Sequence, residues 1–146
     1  MSLLDWLWDL FRKPTPVPIP EPKQITGIEL GQMLKAYCGN LWLSDSKYKT
    51  MNKKSLEDFL RINPVNERKY ITEAHDCDDF SFELMGDVST WNSDGTFGIV
   101  WGNRANDGAP HAWNFFIDEK KQLWYVEPQT DKIFSPSTES LWIMIV

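Results

Sequence analysis

Residues 111–128 read HAWNFFIDEKKQLWYVEP. Aromatic and β-branched residues fill both halves, and Asp118-Glu119-Lys120-Lys121 breaks them with a polar turn, which predicts two strands joined as a hairpin. Pairing residues symmetrically about that turn makes the strands antiparallel and sets position 111 opposite roughly 128. By period two, His111 shares a face with Trp113, Phe115 and Ile117, while Asn114 points to the other face. FGIVWG (97–102), KIF (132–134) and SLWIMIV (140–146) have the same strand-like composition. A sheet therefore occupies the C-terminal part of the chain.

Upstream of residue 95 the periodicity is helical. Residues 26–37 repeat apolar side chains at Ile28, Leu30, Met33, Leu34 and Tyr37. A second helix is predicted over 55–62, with Ser55 as its N-cap and Pro64 beyond its end. A third begins near Cys77 and runs through Phe80, Leu84, Met85 and Val88. Helices first and an antiparallel sheet afterwards make an α+β plan, with the N-terminal helices packed on the C-terminal sheet. That domain is expected to span residues 23–146.

Two pieces precede it. Residues 1–13 (MSLLDWLWDLFRK) form an amphipathic pattern, with Leu3, Leu4, Leu7, Trp8 and Phe11 on one side and Asp5, Asp9, Arg12 and Lys13 on the other. The Leu3–Phe11 face suits contact with a membrane surface or a partner protein. Pro14, Pro16, Pro18, Pro20 and Pro22 alternate through residues 14–22, which reads as an extended linker. The N-terminal apolar run is too short to span a bilayer, and its basic residues follow rather than precede it, unlike a secretory signal. A cytoplasmic or virion-associated protein is the corresponding expectation.

Composition narrows the classes further. The 146 residues carry 15 Lys+Arg against 21 Asp+Glu, a net charge of −6. Duplex nucleic acid is disfavoured as a partner, because affinity there comes from cationic neutralisation of phosphates. Cys38 and Cys77 are too few for a disulfide framework, and reduced thiols with separate roles are expected. The chain has no phosphate-binding loop, dinucleotide fingerprint or paired CxxC.

The chemistry concentrates in His75-Asp76-Cys77-Asp78-Asp79-Phe80. With Asp76 as cap, Cys77 falls in the first turn of a helix, where free N–H groups and the macrodipole favour a thiolate. A histidine opening a strand, His111, fits the role of base. Glu127 at the end of the next strand, with Gln129 just after it, supplies an orienter. The acidic neighbours Asp76, Asp78 and Asp79 work the other way, since like charges raise a thiol's pKa. A bound Ca²⁺ held through Asp78 and Asp79 would neutralise them, although the chemistry itself needs no cofactor.

The order of these parts resembles the papain-like and transglutaminase-like Cys-His hydrolases. Within that set, Asp76-Cys77-Asp78-Asp79-Phe80, His111-Ala112-Trp113-Asn114 and Trp124-Tyr125-Val126-Glu127-Pro128-Gln129 are most similar to the cysteine-protease domain found at the C-terminus of the Marasmius oreades agglutinin and in phage and bacterial relatives. The resemblance spans roughly residues 25–134. It implies a papain-like fold, Cys77 as nucleophile, His111 as general base and acid, Glu127 as orienter, a peptide or protein substrate, and calcium dependence. Papain-type enzymes place a Gln shortly before the nucleophile as oxyanion donor. Tyr70 and Ile71 stand there instead, leaving the Cys77 N–H, Gln32 or Asn40 as candidates. Asp45 and Tyr48 in LWLSDSKY also resemble a recurring feature of that set. The expected function is a cysteine-nucleophile hydrolase acting on amide bonds through a thioester. The alternatives are a cell-wall peptidase of NlpC/P60 type and a non-catalytic virion or assembly module on the same fold.

Overall fold

The computed structural model describes residues 21–146. The expected helix of residues 1–13, and the linker as far as residue 20, lie outside the described residues, so the Leu3–Phe11 surface has no structural account. Among the described residues no helix is long and apolar enough to cross a membrane.

The order of elements is β1 (Gln24–Thr26), α1 (Gly27–Leu34), β2 (Leu41–Trp42), β3 (Lys47–Lys49), α2 (Lys53–Ile62), a 3₁₀ turn (Val65–Glu67), α3 (Cys77–Trp91), β4 (Phe97–Asn103), β5 (Pro110–Ile117), β6 (Leu123–Glu127), β7 (Lys132–Phe134) and β8 (Ser140–Ile145). Strands β1 and β3 form a small antiparallel pair, and the others form one sheet in the order β2-β8-β4-β5-β6-β7. Only the β2–β8 pair is parallel. This is the mixed α+β class expected.

The sheet is covered on both faces, which explains why β5 is so apolar along its length. One face packs Trp113, Phe115, Ile117 and Tyr125 against Leu30 and Leu34 of α1 and against Ile25 and Tyr48. The other packs Phe97, Phe116 and Val126 against Leu56 and Leu60 of α2 and Phe80, Leu84 and Val88 of α3. Helices α1 and α3 are thus on opposite sides of the sheet.

The β5–β6 hairpin pairs Asn114 with Val126 and Ile117 with Leu123. Extended toward its open end, that register sets 111 opposite 129, next to the expected 128, and Trp113 opposite Glu127. Buried Asp118 organises the turn. Its carboxylate accepts from the backbone N–H of Lys120 at 2.9 Å, from that of Gln122 at 2.8 Å and from the Trp124 indole at 2.8 Å.

Helix boundaries differ from expectation in two places. Helix α1 ends at Leu34 rather than Tyr37. Helix α2 begins at Lys53, because Asn52 caps it: Asn52 Oδ1 accepts from the Ser55 N–H at 2.8 Å and the Ser55 hydroxyl at 3.0 Å. Ser55, expected as the cap, is the third helical residue. Trp91 and Trp101 lie near the surface: Trp91 stacks on Phe59 at 4.5 Å and Trp101 tilts against Phe82 at 5.6 Å. Cys38 is buried at the end of α1, its thiol donating to the Asn40 carbonyl at 3.3 Å. The Ser44–Tyr48 segment fastens the chain's C-terminus. The Val146 oxygen accepts from the Ser44 N–H at 2.8 Å and from the Tyr48 hydroxyl at 3.3 Å.

Candidate functional site

Cys77 is the first residue of α3, and Asp76 is its N-cap. The carboxylate of Asp79 accepts from the Asp76 N–H at 3.1 Å, and that of Asp76 accepts from the Glu73 N–H at 3.2 Å. These bonds fix the entry to the helix, and acidic side chains there suit the positive end of its dipole. The Cys77 carbonyl accepts from the Ser81 hydroxyl at 2.8 Å.

Asn114 then ties this helix to the strand that carries His111. Its Nδ2 donates to the Ser81 carbonyl at 2.9 Å and to the Gly98 carbonyl at 3.0 Å, and the side chain is fully buried. The period-two alternation of β5 places Asn114 on the face opposite His111. The same parity put a buried amide on the helix-facing side, where it had to find partners.

His111 lies on β5 with its ring stacked beside Trp113, centroids 5.9 Å apart. Its Nε2 meets Glu127 Oε2 at 2.7 Å. The contact is diagonal across the β5–β6 ladder, since Trp113, not His111, falls opposite Glu127; diagonal neighbours on one face are within reach of long side chains. The His111 side chain is 9% exposed and that of Glu127 is 21% exposed, so the pair is largely shielded from screening by water. Glu127 Oε1 also accepts from the Gln129 N–H at 3.3 Å. His111 and Glu127 line a cleft of about 350 Å³ together with Arg104, Trp113, Lys132 and Phe134, and Cys77 is not among its lining residues. A larger hollow of about 500 Å³, lined by Met33, Tyr37 and Trp124 among others, contains none of Cys77, His111 and Glu127.

The half-buried Cys77 thiol is held above its ordinary pKa. Burial is the main cause, the charges of Asp76 and Asp78 add to it, and the backbone N–H of Ala112 opposes it. The helix that carries the thiol packs on β5, the strand of His111. The described hydrogen bonds join His111 to Glu127 and do not join Cys77 to His111.

The acidic cluster divides. Asp76, Cys77 and Asp78 place one donor atom each within 4.8 Å of one another. Hydrogen bonding between the two carboxyl groups holds Asp78 above and Asp76 below the usual carboxylate range. Asp79, expected as a calcium ligand, is outside this group because its carboxylate caps the helix. Calcium takes six to eight oxygen ligands, and two carboxylates and a thiol fall well short of that set. Gln32, expected as an oxyanion donor, stands on α1 across the sheet from α3 and is not brought to Cys77.

Several solved structures share the fold. One, titled PSL1a-E64 complex, superposes with a TM-score of 0.73 at 19% identity, over 84% of this chain and 51% of that one. Another, titled as Polyporus squamosus lectin bound to the human-type influenza-binding epitope Neu5Aca2-6Galb1-4GlcNAc, gives a TM-score of 0.70 at 18% identity, over 84% and 49%. The chain therefore spans about half the length of either. No curated protein matches it.

These neighbours correct the expected class. Hydrolase and cysteine (thiol) protease were the expected classes for this chain. The neighbour with a descriptive title is instead a carbohydrate-binding lectin from Polyporus squamosus. What the sequence itself establishes is narrower: residues 48–133, more than half of the chain, match the family model described as Agglutinin C-terminal, and the chain belongs to that family.

Proposed function

We propose that this chain is an agglutinin C-terminal module that works beside a glycan-recognising partner, and that its own contribution is a thiol acyl-transfer centre at Cys77. The first half of this reading is supported by the lectin title of a neighbour, about half of which has no counterpart here. The second half rests on one observation, the 2.7 Å contact between His111 Nε2 and Glu127 Oε2 on the strand against which the helix that begins at Cys77 packs.

In the chemical step, His111 takes the proton of the Cys77 thiol and the sulfur attacks an acyl carbon. The tetrahedral intermediate collapses to a thioester as the leaving group departs with the proton from His111. An acceptor nucleophile then takes the acyl group and returns the thiol. Glu127 fixes the ring and stabilises its protonated form.

A module without chemistry is the second reading, favoured by the raised pKa of the Cys77 thiol. Trapping separates the two. The protein is incubated with p-nitrophenyl acetate, quenched, digested and read by mass spectrometry. An acetyl group on the Cys77 peptide, absent from Cys77→Ser and in excess over any on Cys38, is the expected result. Equal or no labelling at Cys77 overturns the chemical half and leaves the module.

A further inference from the structure

An acyl-transfer centre needs donors for the oxygen that becomes charged as the carbonyl is attacked. Cys77 supplies one, since the N–H groups of a first helical turn have no partner within the helix. Gln32, the side chain expected for the second, lies across the sheet. The chain just before α3 offers a replacement.

Ile71 and His75 form an antiparallel bridge, with the Ile71 N–H donating to His75 O at 2.9 Å and the His75 N–H to Ile71 O at 2.7 Å. Glu73 makes the turn between them with φ of 59°. A bridge at 71 and 75 brings position 70 back alongside position 76, and so next to Cys77. The Tyr70 ring packs on Phe80, one turn into α3, with centroids 6.4 Å apart and planes inclined by 20°. Tyr70 is 49% exposed, so its edge is open to a bound molecule.

We propose that the Tyr70 hydroxyl is the side-chain donor to the oxyanion formed when Cys77 attacks a carbonyl. The inference rests on the acyl-transfer reading of Cys77 and names a further catalytic residue for it. Partial burial, with the charges of Asp76 and Cys77 nearby, holds the Tyr70 phenol above its ordinary pKa. It therefore keeps its proton at neutral pH and remains a donor. In the step itself the C–S bond forms, the carbonyl π pair moves to oxygen, and the phenol O–H hydrogen-bonds to that oxygen. The pair returns to carbon as the leaving group departs.

Two reactions of the same thiol test this. Acylation by p-nitrophenyl acetate passes through an oxyanion. Alkylation by iodoacetamide displaces iodide at a saturated carbon and forms none. Tyr70→Phe keeps the ring on Phe80 and removes only the hydroxyl. Its acylation of Cys77 is expected to slow roughly 10- to 100-fold, at or below the usual effect of one donor because the site is open to water. Its alkylation rate is expected to stay unchanged. Equal acylation rates in wild type and Tyr70→Phe overturn the proposal, as does an equal slowing of both reactions, which would place Tyr70 on the thiolate instead. A wild-type Cys77 that is alkylated but never acylated also overturns it. If the wild-type thiol resists both reagents, the acyl-transfer reading itself fails and the Tyr70 role with it.

Discussion

Replacing Glu127 with Gln is expected to slow acylation of Cys77 by roughly 10²- to 10⁴-fold, the range over which a misplaced or unsupported base histidine costs an enzyme its rate. The carboxylate at 2.7 Å requires the proton of neutral His111 to sit on Nε2, which leaves Nδ1 as the ring's acceptor. Gln is the same size but neutral. It no longer stabilises the imidazolium formed when the thiol gives up its proton, and its amide can present a donor to the ring and select the other tautomer. The rate is read from the first turnover of p-nitrophenol release, with thermal unfolding as a control on folding. An unchanged rate in a folded Glu127→Gln protein would show that the His111–Glu127 contact is structural only.

Trp113→Ala carries the largest expected cost in stability, about 3–5 kcal/mol for truncating a buried Trp. The indole is 1% exposed, lies beside the His111 ring at 5.9 Å and meets Tyr125 edge-on at 5.5 Å. Removing it empties the middle of the α1-facing core, and at this chain length each kcal/mol lowers Tm by about 4 °C. Trp113→Phe is a milder change, expected within about 1.5 kcal/mol. It keeps a ring and discards an indole N–H that is buried without a partner among the described residues. Urea unfolding checks both. A loss below about 1 kcal/mol for the Ala variant would contradict the packing described for this face.

The hairpin was legible because two signals agreed. Period-two alternation set the faces of HAWNFFI, and Asp118-Glu119-Lys120-Lys121 set the register to within one residue of the ladder. Cys77 at the start of α3 was legible too, since an acidic cap before a helical pattern is a local signal. The cap of α2 was not. Asn52 and Ser55 are both good capping residues, and only the folded chain shows which one supplies the acceptor. Nor do β1, β2 and β3 have enough residues for a period to emerge.

Layering was the larger gap. Apolar positions in α1 and α3 look alike in sequence, and nothing local says that they cover opposite faces. Gln32 and Cys77 therefore looked compatible until the sheet came between them. The role of Asp79 was hidden for a different reason, since a carboxylate near a helix start serves a cap or a cation equally well. The functional class was least legible of all. A short Asp-Cys-x-x-Phe pattern led to the right family, yet one neighbour that shares its fold is a lectin by title, and fold alone does not determine chemistry.

The most direct test of the account is the rate of Cys77 alkylation by iodoacetamide as a function of pH, in wild type and in His111→Ala, with Cys38 followed in the same digest. Burial, Asp76 and Asp78 push the thiol up, and the Ala112 N–H opposes them; an imidazolium at position 111 would oppose them further. The wild-type protein is expected to be alkylated at lower pH than the His111→Ala variant. In His111→Ala the imidazole is gone, and the profile should move to higher pH, above the ordinary thiol value of about 8.5. Identical profiles in the two proteins, both midpoints at or above that value, would contradict the account: Cys77 would then be a half-buried thiol in a module that performs no chemistry.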